Sequence, residues 1–125
     1  MANILICDDD PTIHKLVGEF LKRSGHEVTF AKDGLDALVL LKKQKPDLMV
    51  LDVMMPEING YDVCHNVKFD DRLKDLPIVL LTSRDQELDE RQGALMGIAY
   101  MSKNCSPKEL TDKVNQILAA RQLKK

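Results

Sequence analysis

Residues that can do chemistry recur at comparable places in this chain: Asp8 and Asp9, Asp52, Thr82 with Ser83, and Lys103. Each ends or follows a short, mostly apolar run, at 4–7, 48–51, 78–81 and 99–102. A carboxylate at the end of a buried strand is costly unless something there uses its charge. If these runs are neighbouring strands, three carboxylates, a hydroxyl and an ammonium share one cleft. Two anions about 4 Å apart repel by roughly 4 kcal/mol at an effective dielectric near 20. Shared protons or Lys103 could offset this, but a divalent cation would do it best. Hard oxygen donors favour Mg²⁺, which takes one or two carboxylates and keeps several waters open to exchange with phosphate oxygens. A carboxylate beside such a metal can attack a phosphoryl group and become an acyl phosphate. Lys103 and Thr82 could then bind other phosphoryl oxygens. The set points to phosphoryl transfer onto Asp52.

The elements that must hold these residues follow from apolar spacing and punctuation. The run 4–7 reads as a buried strand. Asp10-Pro11 starts a helix, as a carboxylate cap followed by proline. Its apolar face is Ile13, Leu16, Val17, Phe20 and Leu21, and Gly25 lies just past its end. Residues 28–30 form a short strand, and Asp33-Gly34 opens a helix with Leu35, Leu38, Val39 and Leu41 apolar. The run 48–51 is a third strand. Asn59-Gly60 makes a turn that can cap a helix facing inward with Val63, Val67 and Phe69. Pro77 precedes a fourth strand, 78–81.

Ser83 with Gln86 is a capping box opening an unusually polar helix over 83–96, whose core edge is Leu88, Leu95 and Met96. A short fifth strand follows at 99–102. Ser106-Pro107-Lys108-Glu109 is a second capping box, with Leu110, Val114, Ile117 and Leu118 along the helix it opens. Five strands alternating with five helices imply an α/β fold. Its sheet is parallel, with helices on both faces and right-handed crossovers. Ligands in such folds bind outside the carboxyl ends of the strands, where the residues named above collect.

Composition narrows the class. The 125 residues suit one domain, 1–125, with no room for an output domain. A hydrophobic share of 44% and a charged share of 30% fit a soluble globular chain. The net charge of -2 gives no electrostatic reason to expect nucleic acid or membrane as a partner. No run approaches the roughly 18 apolar residues of a membrane span, and no signal peptide is visible. Cys7, Cys64 and Cys105 are odd in number and widely spaced, a pattern of reduced thiols in a cytoplasmic protein. His14, His26 and His65 have no metal-ligand spacing.

The combination of Asp8-Asp9, Leu51-Asp52-Val53-Met54-Met55-Pro56, Asn59-Gly60, Leu81-Thr82-Ser83 and Tyr100 three residues before Lys103 is specific. With it the chain resembles the receiver domain of bacterial two-component response regulators, in particular the single-domain, chemotaxis-regulator type. The resemblance implies a (βα)5 flavodoxin-like fold with strand order 2-1-3-4-5. It implies that Asp52 accepts a phosphoryl group from a histidine kinase or histidine phosphotransfer protein. Asp9, Asp52 and the Met54 backbone carbonyl would bind Mg²⁺ directly, and Asp8 through water. Thr82 and Lys103 would contact the phosphoryl group, and Thr82 and Tyr100 would form the switch. The output surface would be the fourth helix, the fifth strand and the last helix, presented to a downstream protein. Met54 and Arg84 stand where the family tunes phosphate lifetime, and Met54 cannot hydrogen-bond an attacking water, so a long-lived acyl phosphate is expected. Asn104 replaces the proline usual after the lysine, so a trans bond, or a strained cis one, is expected there. The segment from Gly97 to Tyr100 is one residue shorter than the common spacing.

The resulting expectation is a stand-alone regulator that catalyses only its own phosphorylation and dephosphorylation. The alternative is a degenerate receiver, a protein-binding module that no longer uses phosphorylation. A haloacid dehalogenase-type phosphatase would need an acid where Met54 stands. An FMN carrier would need a phosphate loop without three aspartates.

Overall fold

The structure, a computed structural model, describes residues 2–53, 58, 60–82, 98–102 and 105–123. Five strands run β1 (Asn3–Cys7), β2 (Glu27–Ala31), β3 (Leu48–Asp52), β4 (Ile78–Thr82) and β5 (Ile98–Ser102). Between and after them lie α1 (Pro11–Arg23), α2 (Gly34–Lys43), α3 (Gly60–Lys68) and α4 (Pro107–Leu123). The strands form one parallel sheet in the order β2-β1-β3-β4-β5. This is the flavodoxin-like (βα)5 arrangement that the receiver resemblance implies. The polar helix expected over 83–96, with its Ser83 cap, lies outside the described residues.

Alternation along the strands divides the core between the two faces of the sheet. Leu5, Met49, Leu51, Ile78 and Leu80 pack on one side with Ala37 and Leu41 of α2 and Val63, Cys64 and Val67 of α3. Ile4, Ile6, Leu48, Val50, Val79 and Leu81 pack on the other with Val17 and Leu21 of α1 and Leu110 and Val114 of α4. Both faces of β3 are buried along its whole length. That is why its sequence is a continuous apolar run and not an alternating one.

The helix ends follow their local chemistry. Asp10 caps α1 by accepting the Thr12 N–H at 2.9 Å, and Asp33 caps α2 by accepting the Asp36 N–H at 2.8 Å. Gly25 beyond α1 sits at φ 91, a left-handed conformation that a side chain would strain. At α4 the box closes both ways: Ser106 Oγ accepts the Glu109 N–H, and Glu109 Oε1 accepts the Ser106 N–H. One such cap contributes about 1 kcal/mol.

Four apolar residues expected inside are exposed: Leu16, Leu35, Val39 and Phe69. In α2 the buried stripe is Gly34, Ala37 and Leu41, with Leu38 half-buried. Two small residues let the helix sit close to its neighbours. Leu35, about 100° further round from Gly34, then turns outward, and Val39 follows one turn later. Phe69 falls just past the end of α3 and stacks on His65 at 4.5 Å between ring centroids. Leu16 lies off the Val17–Leu21 line by which α1 meets the sheet.

Candidate functional site

Register brings the acids together. Cys7 of β1 pairs with Leu51 of β3, so the next residues, Asp8 and Asp52, leave adjacent parallel strands at the same level. Adjacent strands are about 4.8 Å apart. One carboxylate oxygen from each of Asp8, Asp9 and Asp52 lies within 4.8 Å of the others. Asp8 and Asp52 are each only 1% exposed, whereas Asp9 faces solvent. One side of the cluster is therefore dry and the other open to an entering ligand.

Both buried acids are fixed by backbone. The Asp8 N–H donates to the Ala31 carbonyl at 3.2 Å, and Asp8 Oδ1 accepts the Asp10 N–H at 2.9 Å. Asp10 thus does two jobs. Its side chain starts α1, and its own N–H orients the pocket acid two residues earlier. Asp52 pairs with Leu81 across β3–β4, and the Val53 N–H donates to the Leu81 carbonyl at 3.0 Å. Gly60 then returns the chain to this point, its N–H donating to the Val53 carbonyl at 2.9 Å. A Cβ at Gly60 would lie 2.5 Å from the Asp52 carbonyl oxygen, so only glycine fits.

Cys7 lies beside this cluster but is no ligand. Its Sγ–H donates to the Asp33 carbonyl at 3.3 Å. Burial first, and then the nearby charges of Asp33, Asp8, Asp36 and Asp52, push its thiol up to about 12.

The remaining expected residues are placed in part. Thr82 ends β4 one step beyond the Leu81–Asp52 pair and is paired with Ser102, the residue before Lys103. Backbone register therefore carries Thr82 to the same edge as Asp52. Tyr100 pairs with Leu80 and is half-buried, packed against the core on the α2–α3 side. Met54, Arg84, Lys103 and Asn104, the bond after Lys103 and the spacing from Gly97 lie outside the described residues. The three histidines make other contacts: His14 stacks on Phe30, His65 on Phe69, and His26 joins the Ala2 N–H to Asn115. Sequence reasoning missed the roles of Asp10 N–H and of the Cys7–Asp33 tie. A carboxylate two residues before a helix cap was the available signal for the first.

The family profile described as the response regulator receiver domain matches residues 4–115. The chain belongs to the response regulator receiver family. A relative of similar size is protein PilH of Pseudomonas aeruginosa, 33% identical over 120 residues, covering 95% of this chain and 99% of PilH. The alkaline phosphatase synthesis transcriptional regulatory protein PhoP of Bacillus subtilis is 40% identical over 116 residues, covering 92% of this chain but 48% of PhoP. The chain thus spans about half the length of several transcriptional regulators that it matches. Among solved structures, chemotaxis protein CheY4 of Vibrio cholerae superposes with a TM-score of 0.85 at 29% identity, covering 94% of this chain and 98% of CheY4. A response regulator from Chloroflexus aurantiacus gives 0.84 at 35%, with the same shares covered.

The receiver's acidic cluster fits Mg²⁺ on its donor chemistry. Its three facing groups are carboxylates, two buried and one exposed, whose oxygens are the hard donors that Mg²⁺ takes. No helix among the described residues is long and apolar enough to cross a membrane.

Proposed function

We propose that this receiver accepts a phosphoryl group on Asp52 and so switches a protein-binding surface. The observation that carries the reading is the convergence of Asp8, Asp9 and Asp52, with two of the three carboxylates buried. Asp8, Asp9 and Asp52, with the Met54 backbone carbonyl, would hold Mg²⁺, with Asp8 acting through water. When bound, the ion would neutralise the phosphoryl oxygens.

Asp52 is the nucleophile. One of its oxygens forms the O–P bond as the P–N bond to a phosphohistidine of the donor breaks, and the departing imidazole nitrogen takes up a proton. The donor is a histidine kinase or a histidine phosphotransfer protein. Thr82 and Lys103 bind the phosphoryl oxygens. Thr82 and Tyr100 relay the change to the surface formed by residues 83–96, β5 and α4. Met54 and Arg84 set the lifetime of the acyl phosphate, which is long.

This is a cytoplasmic signalling protein and not a turnover enzyme, since the modified group is its own side chain. The stand-alone form draws support from PilH, matched over 99% of its length. The mass of the protein isolated from its own cells separates that form from a longer regulator.

The test uses beryllofluoride, which stands in for a phosphoryl group on a carboxylate. Bound fluorine should appear by ¹⁹F NMR with the wild-type protein only when Mg²⁺ is present, and not with Asp52→Asn. No binding by the wild type sinks the proposal and leaves a receiver that works without phosphorylation.

A further inference from the structure

The corner between β2 and α2 carries none of the proposed machinery, yet it touches both segments that supply the carboxylates. The Ala31 carbonyl accepts the Asp8 N–H. The Asp33 carbonyl accepts the Cys7 thiol, one residue before Asp8. Gly34 meets Ile58, in the loop that joins Asp52 to α3. A Cβ at Gly34 would lie 2.6 Å from the Ile58 carbonyl oxygen, 3.0 Å from its Cβ and 3.1 Å from its Cγ2. The nearest atom is backbone, so a larger residue must move either the loop or the helix.

Two residues after Ile58 comes Gly60, which is hydrogen-bonded to the Val53 carbonyl and is itself too close to the Asp52 backbone to accept a Cβ. Nor can α2 back away easily. Asp33 caps it through the Asp36 N–H, and Asp36 Oδ2 accepts the Lys32 N–H at 3.1 Å, so its first turn is tied to the corner at two points. Gly34 therefore meets Ile58, which stands two residues before Gly60 in sequence, and Gly60 in turn lies against the backbone of Asp52. Gly34 is not needed for its backbone freedom, because the left-handed glycine among the described residues is Gly25. It opens α2, where alanine would ordinarily favour the helix.

We propose that Gly34 is a positioning residue for Asp52: by having no side chain, it sets how near the Ile58 loop lies to the corner that also holds Asp8. The distance between the two carboxylate-bearing segments is thereby fixed from outside the pocket. This inference rests on the proposed metal-dependent role of Asp52.

Mn²⁺, a paramagnetic substitute for Mg²⁺, supplies the test, through loss of the free-ion EPR signal on titration and its return on Mg²⁺ competition. Gly34→Ala should bind Mn²⁺ about ten-fold more weakly than wild type, as removal of outer support does at metal sites. Val39→Gly, in the same helix but on its exposed side, should lower the melting temperature and leave Mn²⁺ affinity within about two-fold. Equal affinity in Gly34→Ala and wild type overturns the proposal. So does a loss in Val39→Gly matching that in Gly34→Ala, because instability alone would then account for it. If Gly34→Ala does not fold, wild-type amide shifts decide. Coupling is reciprocal, so the Gly34 and Ile58 amides should move during a Mg²⁺ titration with the midpoint of Asp52, and a still Gly34 overturns the proposal. Wild-type protein that binds no metal fails the proposed function itself, a different result from a variant that binds normally.

Discussion

One strand carries an aspartate at each end, and the two are treated oppositely. Asp47, just before β3, is exposed. Its Oδ2 accepts the Asn3 N–H at 2.7 Å, and its own N–H donates to the Asn3 carbonyl at 2.8 Å. It is a local clasp that finishes the β1 edge. Asp52, five residues on, is buried with two other acids within 4.8 Å. The surroundings differ in the same sense. A cavity of about 440 Å³ at the amino end is lined by one acid and one base, Glu27 and Lys43, among neutral residues. Nothing gathers charge of one sign there. At the carboxyl end the chain concentrates it, which is useful only if a cation and a phosphoryl group arrive to use it.

Removing the charge at Asp52 should show this most strongly. Without metal, Asp52→Asn should be more stable than wild type by about 1 kcal/mol or more, since each pair of anions near 4 Å repels by roughly 4 kcal/mol. With Mg²⁺ at a hundred times its dissociation constant, wild type gains about 2.7 kcal/mol and the variant gains little. The order of melting temperatures should therefore invert on adding Mg²⁺. Melts with EDTA and with Mg²⁺ check it, and a variant less stable than wild type in EDTA would mean Asp52 is as structural as Asp47.

Two thiols sharpen the contrast at the next level. Cys7 and Cys64 are each pushed up to about 12, Cys7 by burial and then by Asp33, Asp8, Asp36 and Asp52, Cys64 by burial alone with Lys68 pulling the other way. A thiol whose folded pKa exceeds its unfolded one contributes stability that is complete below about pH 9 and is lost as pH rises towards 12, at about 1.4 kcal/mol per pH unit for each thiol. Unfolding free energies from urea melts between about pH 9.5 and 11 should fall more steeply for wild type than for Cys64→Ala by that single-thiol slope. Asp52→Asn should ease ionisation of Cys7 and leave Cys64 alone. Equal effects on both would show that the pocket's field is not local.

The sequence made the acidic end easier to read than the fold around it. Asp52 stands out because β3 is buried on both faces, so its apolar run has no polar break before the acid. Asp8 and Asp9 stand out for the same reason at β1. Helix facing was less legible. Leu35 and Val39 look like core by hydrophobicity, but Gly34 and Ala37 set the contact because small size permits close approach, and spacing alone does not rank size above apolarity. Phe69 extends the spacing of α3 by one position past the point where the helix ends. The Gly34–Ile58 contact joins residues distant in sequence and leaves no trace in either segment. Strand order, too, came through the receiver resemblance and not from apolar pattern, because five similar strands can be ordered in several ways.

The smallest effect belongs to the quiet end of β3. Asp47→Ala removes a carboxylate acceptor from the Asn3 N–H and leaves that group to water, since the site is exposed. The expected loss is about 1 kcal/mol, below the roughly 1.5–3 kcal/mol of a bond to a charged group because the exposed partner is resolvated. It should appear as a lower urea midpoint with no change in its slope, because no additional surface is exposed on unfolding. Mn²⁺ affinity should stay within about two-fold of wild type, since Asp47 and Asp52 lie at opposite ends of a five-residue strand whose rise is about 3.3 Å per residue, well over a Debye length of about 10 Å apart. If Asp47→Ala weakened metal binding as much as Gly34→Ala did, the amino end of β3 would be setting the position of Asp52 along the strand. The division between a structural and a chemical aspartate would then fail.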